Sequence, residues 1–162
     1  MNFETKRLLC KSLSIADYAD FEAGQEPEWD GFTNPYKHLV EGPSPLRHRI
    51  PRVKKDPEFA EIGLVLAIAE GEVVGSAGFH DYPDENGMIE IGFGIVPEKQ
   101  RQGYQHQPHS LVPEAGVGTA VAGSRVPRGG SLRIMHGHRD QARHGRFPEG
   151  CRCARVELAV GR

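Results

Sequence analysis

The sequence of 162 residues has three cysteines, one tryptophan and no apolar run long enough to span a bilayer. Cys10, Cys151 and Cys153 are an odd and sparse set, so we expect reduced thiols rather than a disulfide framework. No signal-peptide pattern follows Met1, and we therefore expect a cytoplasmic protein without a membrane partner. The formal net charge of -2 supplies no argument for a nucleic-acid partner.

A second set of absences divides the chain. After Tyr104 there is neither lysine nor tyrosine, Phe147 is the only aromatic residue, and basic charge comes from arginine alone. The overall composition, 38% hydrophobic and 26% charged, is typical of a globular protein of one domain. We therefore separate residues 1–104 from an atypical segment, 105–162, which belongs to the same domain if it folds.

The first elements are a strand and a capped helix. Residues 5–13, "TKRLLCKSL", predict a short strand with Leu9 and Leu13 on one face. Ser14 is the predicted N-cap of a helix, with Asp17 in its first turn, where the helix dipole favours an acid. The predicted apolar stripe of this helix is Ile15, Tyr18, Ala19 and Phe21, and Gly24 ends it. Residues 25–57 are rich in proline and glycine and predict a loop with one short helix near residues 36–40.

Three strands then follow in an antiparallel meander. They are "EIGLVLAIA" at 61–69, "VVGSAGFH" at 73–80 and "MIEIGFGIV" at 88–96, joined by "EGE" and by a turn containing Asn86-Gly87. The fold class we predict is α/β (mixed α+β) with a central, mostly antiparallel sheet.

The third strand has two unlike faces. Bulky residues alternate with an acid and two glycines; the bulky set is Ile89, Ile91, Phe93 and Ile95, and the other set is Glu90, Gly92 and Gly94. Glycine weakens a strand, so its presence predicts close approach of a ligand to the backbone, or a bulge or bend in the sheet. The pattern alone leaves both interpretations open.

The segment after this strand, "VPEKQRQGYQ", has the composition of a phosphate-binding turn. Pro97 ends the strand, and Gln100, Arg101 and Gly103 follow at close spacing. A glycine-bearing turn that opens a helix leaves backbone N–H groups free to bind a diphosphate, and Arg101 adds positive charge. An ordinary surface turn uses the same residue types for geometry alone.

The stretch "GSAGFHDYPDENGMIEIGFGIVPEKQRQGY" resembles the coenzyme A-binding core of the GNAT superfamily of N-acetyltransferases. The family signature is Gln/Arg-x-x-Gly-x-Gly/Ala after such a strand; Gln100 and Gly103 match it, and Gln105 departs from it. The opening "ETKRLLCKSLSIADYADF" is similar to the branch that contains the ribosomal-protein N-terminal acetyltransferases. The resemblance covers residues 3–104.

The resemblance implies an acyl-CoA N-acyltransferase fold and transfer of an acetyl group from acetyl-coenzyme A to a primary amine. The acceptor it implies is a protein N-terminus or a small molecule. A backbone N–H at Ile95 or Val96 would polarise the thioester carbonyl, and the pantetheine arm would run along Gly92 and Gly94. The diphosphate would lie on the turn formed by Gln100, Arg101, Gln102, Gly103, Tyr104 and Gln105. No metal is implied.

Glu90 is the predicted general base, because it shares a face with the two glycines and a carboxylate in a cleft can have a raised pKa. The alternative is an ordinary exposed strand acid. His80 and Asp81 follow the neighbouring strand and are candidates to assist, or are plain loop residues. Acceptor selection would fall to residues before the meander, which are Trp29, Tyr36 and the basic stretch 47–55, or these form solvated loop.

The C-terminal segment lacks the long helix that the family places after the turn. Pro113, Gly116, Gly118 and Gly123 each interrupt or weaken a helix there, and no tyrosine is left to serve as general acid. Either this segment is native, or the reading frame of the gene shifts near codon 105, the explanation we favour. The functional alternative to an enzyme is a non-catalytic or degenerate acyl-coenzyme A-binding protein.

Two further interpretations of this segment are weaker. His136-x-His138, His144 and Cys151-x-Cys153 lack the ligand spacing of a structural zinc site, so we predict no metal. Its arginines are scattered without an aromatic platform, so we predict no nucleic-acid partner.

Overall fold

The computed structural model describes residues 2–5, 7–41, 44–82, 88–104, 131–135 and 152–159. Its strands are β1 (Asn2–Glu4), β2 (Leu9–Ser12), β3 (Val65–Ala69), β4 (Glu72–Phe79), β5 (Met88–Ile95), β6 (Ser131–Met135) and β7 (Arg152–Ala159). Its helices are α1 (Ile15–Glu22), α2 (Leu46–Lys55) and α3 (Ala60–Gly63), with short 3-10 turns at Pro57–Phe59 and Pro97–Lys99.

Among the described residues, the seven strands form one sheet in the order β1-β2-β3-β4-β5-β7-β6. Every neighbouring pair of strands in it is antiparallel. The predicted mixed α/β class and the predicted meander of β3, β4 and β5 are therefore confirmed. A tight turn with positive φ at Glu70 and Gly71 joins β3 to β4, as the "EGE" stretch predicts. The Asn86-Gly87 turn lies outside the described residues.

The N-terminal prediction is right for the helix and partly wrong for the strand. Ser14 forms a capping box with Asp17: the Ser14 Oγ accepts from the Asp17 N–H, and the Asp17 carboxylate accepts from the Ser14 N–H. The strand is only Leu9–Ser12 and pairs with β1, which the sequence analysis missed. Leu9 is 38% exposed, because the strand turns Cys10 toward the core instead. Ile15, placed in the buried stripe, begins the helix and is 57% exposed.

The prediction for residues 25–57 is wrong in two places. Residues 36–40 are not a helix, because Lys37 and Leu39 have positive φ, which a right-handed helix excludes. Residues 46–55 form α2 despite the internal Pro51. Burial of Leu46, Arg49 and Val53 at helical spacing outweighs the missing N–H of that proline. The predicted strand 61–69 is likewise shortened, since its first residues form α3.

The two faces of β4 and β5 differ as the sequence predicts. Phe79, Ile91, Phe93 and Ile95 are buried on one face, with their large side chains in the core. Directly opposed residues of neighbouring strands share a face. The other face therefore carries three opposed pairs of small or polar residues, which are Ser76 with Gly94, Gly78 with Gly92, and His80 with Glu90. We call this face the glycine face.

Close packing against the glycine face explains Gly78. A Cβ at this position would collide with the carbonyl oxygen of Gly63 at the end of α3 and lie 3.1 Å from the Leu64 Cα. At Gly94, on the same face, a Cβ would meet no atom within 4 Å. The glycine face is thus filled by α3 near Gly78 and open near Gly94.

We expect Gly78→Ala to lower the free energy of unfolding by about 1–3 kcal/mol, because α3 must move away from the sheet. Gly94→Ala is the matched control, and its effect should stay within about 1 kcal/mol because the added methyl enters open space. Urea unfolding of both variants measures the difference. Equal stability of the two variants would contradict this packing.

Candidate active site

The site begins at the end of β5, beyond its described pairing with β7. The Val96 N–H donates to the Val74 carbonyl and the His80 N–H to the Glu90 carbonyl, so the even-numbered residues of β5 bond to β4. The odd-numbered residues therefore direct their N–H and C=O groups toward β7. The β5–β7 register ends at Phe93 opposite Arg152. Ile95 lies two residues beyond, with its N–H directed toward that same side, and none of the described residues accepts from it.

The side chain of Gln100 bonds to one of the two backbone groups that Ile95 directs to that side. Its Nε2 donates to the Ile95 carbonyl oxygen at 3.0 Å, while the Ile95 N–H is left for another acceptor. Because the Val96 N–H is committed to β4, Ile95 is the better candidate of the two predicted N–H donors. Val96 itself is buried and supports the turn.

The turn after β5 has several backbone N–H groups that no described residue accepts from. Arg101 and Gly103 have positive φ, 63° and 83°. Within the part of the chain that the structure describes, the N–H groups of Arg101, Gln102 and Gly103 donate to no backbone or side-chain acceptor. Successive free N–H groups at such a turn form a concavity that binds anions. Arg101 is exposed beside them.

A second arginine, from the N-terminal hairpin, holds the turn in place. Arg7 Nη1 donates to the Gln102 carbonyl at 2.9 Å, and its guanidinium stacks over the ring of Tyr104 at 4.6 Å. A Cβ at Gly103 would lie 3.2 Å from the same Nη1, so glycine admits the arginine. Tyr104 is buried by this stacking. Gln105 lies outside the described residues.

Glu90 and His80 face each other across β4 and β5. The imidazole of His80 has a lowered pKa, caused first by burial and then by the Arg49 guanidinium, while Glu90 acts in the opposite direction. Both side chains are partly buried. Asp81, the other predicted helper, is turned away and pairs with Arg52 at 2.6 Å.

A pair that the sequence analysis missed lies farther along the same face. His38 Nε2 is 2.9 Å from Ser76 Oγ. Burial lowers the pKa of His38 from 6.5 to about 4, so the imidazole is neutral near pH 7. Ser76 is buried and lies opposite Gly94. The only sequence signal was a small polar residue on the glycine face, which did not reveal a partner 38 positions earlier.

The loop that carries His38 is fixed by Asn34. The Asn34 Oδ1 accepts from the His38 N–H at 2.9 Å, and its Nδ2 donates to the His38 carbonyl at 3.0 Å and to Glu26 at 2.9 Å. These bonds compensate for the positive φ of Lys37 and Leu39 on either side. The loop is thus shaped to present one histidine to the sheet.

Tyr36 ties this loop to the turn after β5. Its hydroxyl donates to the Glu72 carboxylate at 3.0 Å, and Lys99 Nζ pairs with the same oxygen at 3.0 Å. The hydrogen bonds to Lys99 and Tyr36 lower the pKa of Glu72. Tyr36, predicted for acceptor selection, therefore also helps to hold the His38 loop against the turn after β5.

Other predicted residues are packed or lie elsewhere. Trp29 stacks on Phe32 and donates to Asp17 at 2.9 Å, so this half-buried ring is packed against the core. A cavity of about 290 Å³ lies near the β1–β2 hairpin and the Glu70–Gly71 turn, and no predicted site residue lines it.

The described residues lack two features. No group of three or more His, Cys, Asp or Glu there is placed to hold a metal ion. No helix in that part of the chain is long and apolar enough to cross a membrane. The histidines and cysteines considered for zinc lie outside the described side chains.

Comparison with known proteins gives one short similarity. A 33-residue segment, 20% of this chain, is 58% identical to part of the Bacillus subtilis (strain 168) protein named "Uncharacterized N-acetyltransferase YjdG". The chain therefore spans about a fifth of the length of that relative, 20%. No protein-family model matches the chain, and no solved structure matches it. The chain is thus similar, over one segment, to a protein named as an N-acetyltransferase.

The lowered pKa of His38 predicts a pH-dependent stability. The unfolded chain binds a proton at this histidine below pH 6.5 and the folded chain only near pH 4, so stability is lost as pH falls through that window. From pH 7 to pH 5 the loss due to His38 is about 2 kcal/mol. Urea unfolding at the two pH values measures it.

His38→Gln should reduce the loss by that amount, because glutamine does not titrate. His80, whose pKa is also lowered, accounts for the loss of stability that remains in this variant. His48→Gln, at an exposed position, is the matched control; it should keep the share of the loss due to His38 and change only the smaller share of His80, whose pKa His48 also lowers. The same loss in His38→Gln and in the unmodified protein would show that His38 is not held neutral.

Proposed function

We propose that this protein is an N-acetyltransferase with a GNAT-like fold, which transfers the acetyl group of acetyl-coenzyme A to a primary amine. The observation that carries this proposal is the Ile95 N–H, directed away from β4 and followed directly by a turn of N–H groups, none of which has an acceptor among the described residues. The segment shared with a protein named as an N-acetyltransferase supports it. The acceptor class is a protein N-terminus or a small-molecule amine.

The described residues fit the parts of coenzyme A in order along the chain. The open space at Gly94 leaves room for the pantetheine arm beside β5. The Ile95 N–H points to where the thioester carbonyl would lie, because Gln100 occupies only the neighbouring carbonyl. The free N–H groups of residues 101–103, with Arg101 and Arg7, would receive the diphosphate.

Catalysis in this proposal consists of positioning and proton transfer. A hydrogen bond from Ile95 N–H stabilises the negative charge that develops on the carbonyl oxygen during amine attack. Glu90 remains the proposed base for the incoming ammonium. It lies five residues from Ile95 on β5, a span of about 16 Å, so it would act through a chain of several waters.

The division of the chain is also a proposal. Residues 1–104 form the acetyltransferase core up to the diphosphate turn, and residues 105–162 are an atypical segment that belongs to the same domain if it folds. The described strands of the second part, β6 and β7, extend the sheet next to β5. A cytoplasmic location stays a prediction from the cysteine content.

Thiol release from acetyl-coenzyme A with a panel of peptide and small-molecule amines tests the proposed reaction. We expect release that depends on the amine, together with a binding heat for coenzyme A in calorimetry. Binding without release would favour the non-catalytic alternative. Neither binding nor release would remove the proposal. The protein used should have its mass and C-terminal peptides verified, since a frame shift would alter residues 105–162.

The substitution Arg101→Gly tests where the diphosphate binds. Arg101→Gly removes the cation and suits the positive φ of that position, so it should raise the KM for acetyl-coenzyme A about tenfold. The KM for acetylpantetheine, which lacks the diphosphate, should not change. Lys11→Ala, on β2, is the control for loss of one positive charge. Equal effects of Arg101→Gly on both donors would place the diphosphate elsewhere.

A further inference from the structure

We propose that Ser76 and His38 form a proton relay at the acyl-transfer centre, with Ser76 as the catalytic residue that contacts the amine. This inference rests on the proposed function. It assigns a base and an acid to a chain that has no tyrosine after Tyr104.

The position of Ser76 carries the argument. Ser76 and Gly94 are direct partners in the β4–β5 register, so their Cα atoms lie about 5.5 Å apart and their faces coincide. No atom lies within 4 Å of a Cβ at Gly94, so the face beside the buried Ser76 is open at that position. Gly94 directly precedes Ile95, the proposed carbonyl contact. Ser76 is therefore much nearer the reacting carbon than Glu90 is.

The pairing with His38 gives this hydroxyl a proton acceptor. The 2.9 Å separation of His38 Nε2 and Ser76 Oγ is that of a hydrogen bond between a nucleophile or acid and its base. The imidazole is neutral near pH 7, because burial disfavours its charged form. A neutral imidazole with its proton on Nδ1 accepts at Nε2.

The architecture around His38 keeps this geometry in place before substrate binds. Asn34 holds both backbone groups of His38. The Tyr36–Glu72–Lys99 contacts then connect the His38 loop to the turn that follows Ile95. One rigid unit thus joins the relay to the proposed coenzyme A site, as preorganised catalysis requires.

The proton balance closes within the relay. Glu90 takes the first proton of the ammonium. The neutral amine then forms a bond to the acetyl carbon while its second proton passes to Ser76 Oγ, and the proton of Ser76 passes to His38 Nε2. The carbon–sulfur bond then breaks, and sulfur leaves with the electron pair. The proton returns from His38 through Ser76 to the sulfur. The products are the amide and coenzyme A thiol, and both side chains end as they began.

Steady-state kinetics of Ser76→Ala and His38→Ala test the relay. We expect kcat to fall about 100-fold or more in each, with the KM for acetyl-coenzyme A within about twofold, because a lost proton transfer acts on the chemical step. Added imidazole should restore part of kcat in His38→Ala and none in Ser76→Ala. His38→Gln, which keeps a polar side chain of similar reach, should stay as slow as His38→Ala.

Ser12→Ala, on β2, is the matched control for loss of a serine hydroxyl and should keep full kcat. Calorimetry with coenzyme A confirms that each variant is folded and binds. Full kcat in Ser76→Ala or His38→Ala would overturn the relay while the proposed function stands. Absence of acetyl transfer by the unmodified protein would remove the proposed function, and the relay with it.

Discussion

A strand residue directs its backbone N–H to one side of the strand only, and the site proposed here depends on that constraint at Ile95. β5 continues to Ile95, and its described register with β7 reaches Phe93. The even-numbered residues of β5 up to Val96 bond to β4, so the Ile95 N–H points to the other side, where no described residue accepts from it. The Gln100 side chain donates to the Ile95 carbonyl and leaves the Ile95 N–H to another acceptor. A sheet edge in this state pairs readily with an extended ligand.

The surrounding packing keeps that edge in a defined state. Arg7 joins the N-terminal hairpin to the turn after β5, and Lys99 joins the same turn to β4 and to the loop before α2. The glycine face is filled by α3 at Gly78 and open at Gly94. These contacts come from parts of the chain distant in sequence. Shape at the site is therefore a property of the whole sheet and not of the glycine-bearing turn alone.

Local patterns predicted the elements whose stability is local. The alternation in β5, the turn at Glu70–Gly71 and the Ser14 N-cap depend on neighbouring residues, and each is found. α2 was missed because Pro45 and Pro51 indicate a loop, while its stability comes from the burial of Leu46 and Val53. The His38–Ser76 pair was missed for the same reason. Its geometry depends on tertiary hydrogen bonds to Asn34, which no spacing reveals.

The chemical shift of the Ile95 amide during titration with coenzyme A tests the central claim most directly. The account predicts that the Ile95 N–H resonance moves downfield, because it gains an acceptor, and that Gln102 and Gly103 move with it. Leu66, in the paired interior of β3, should not move. Saturable binding that leaves the Ile95 resonance in place would contradict the account.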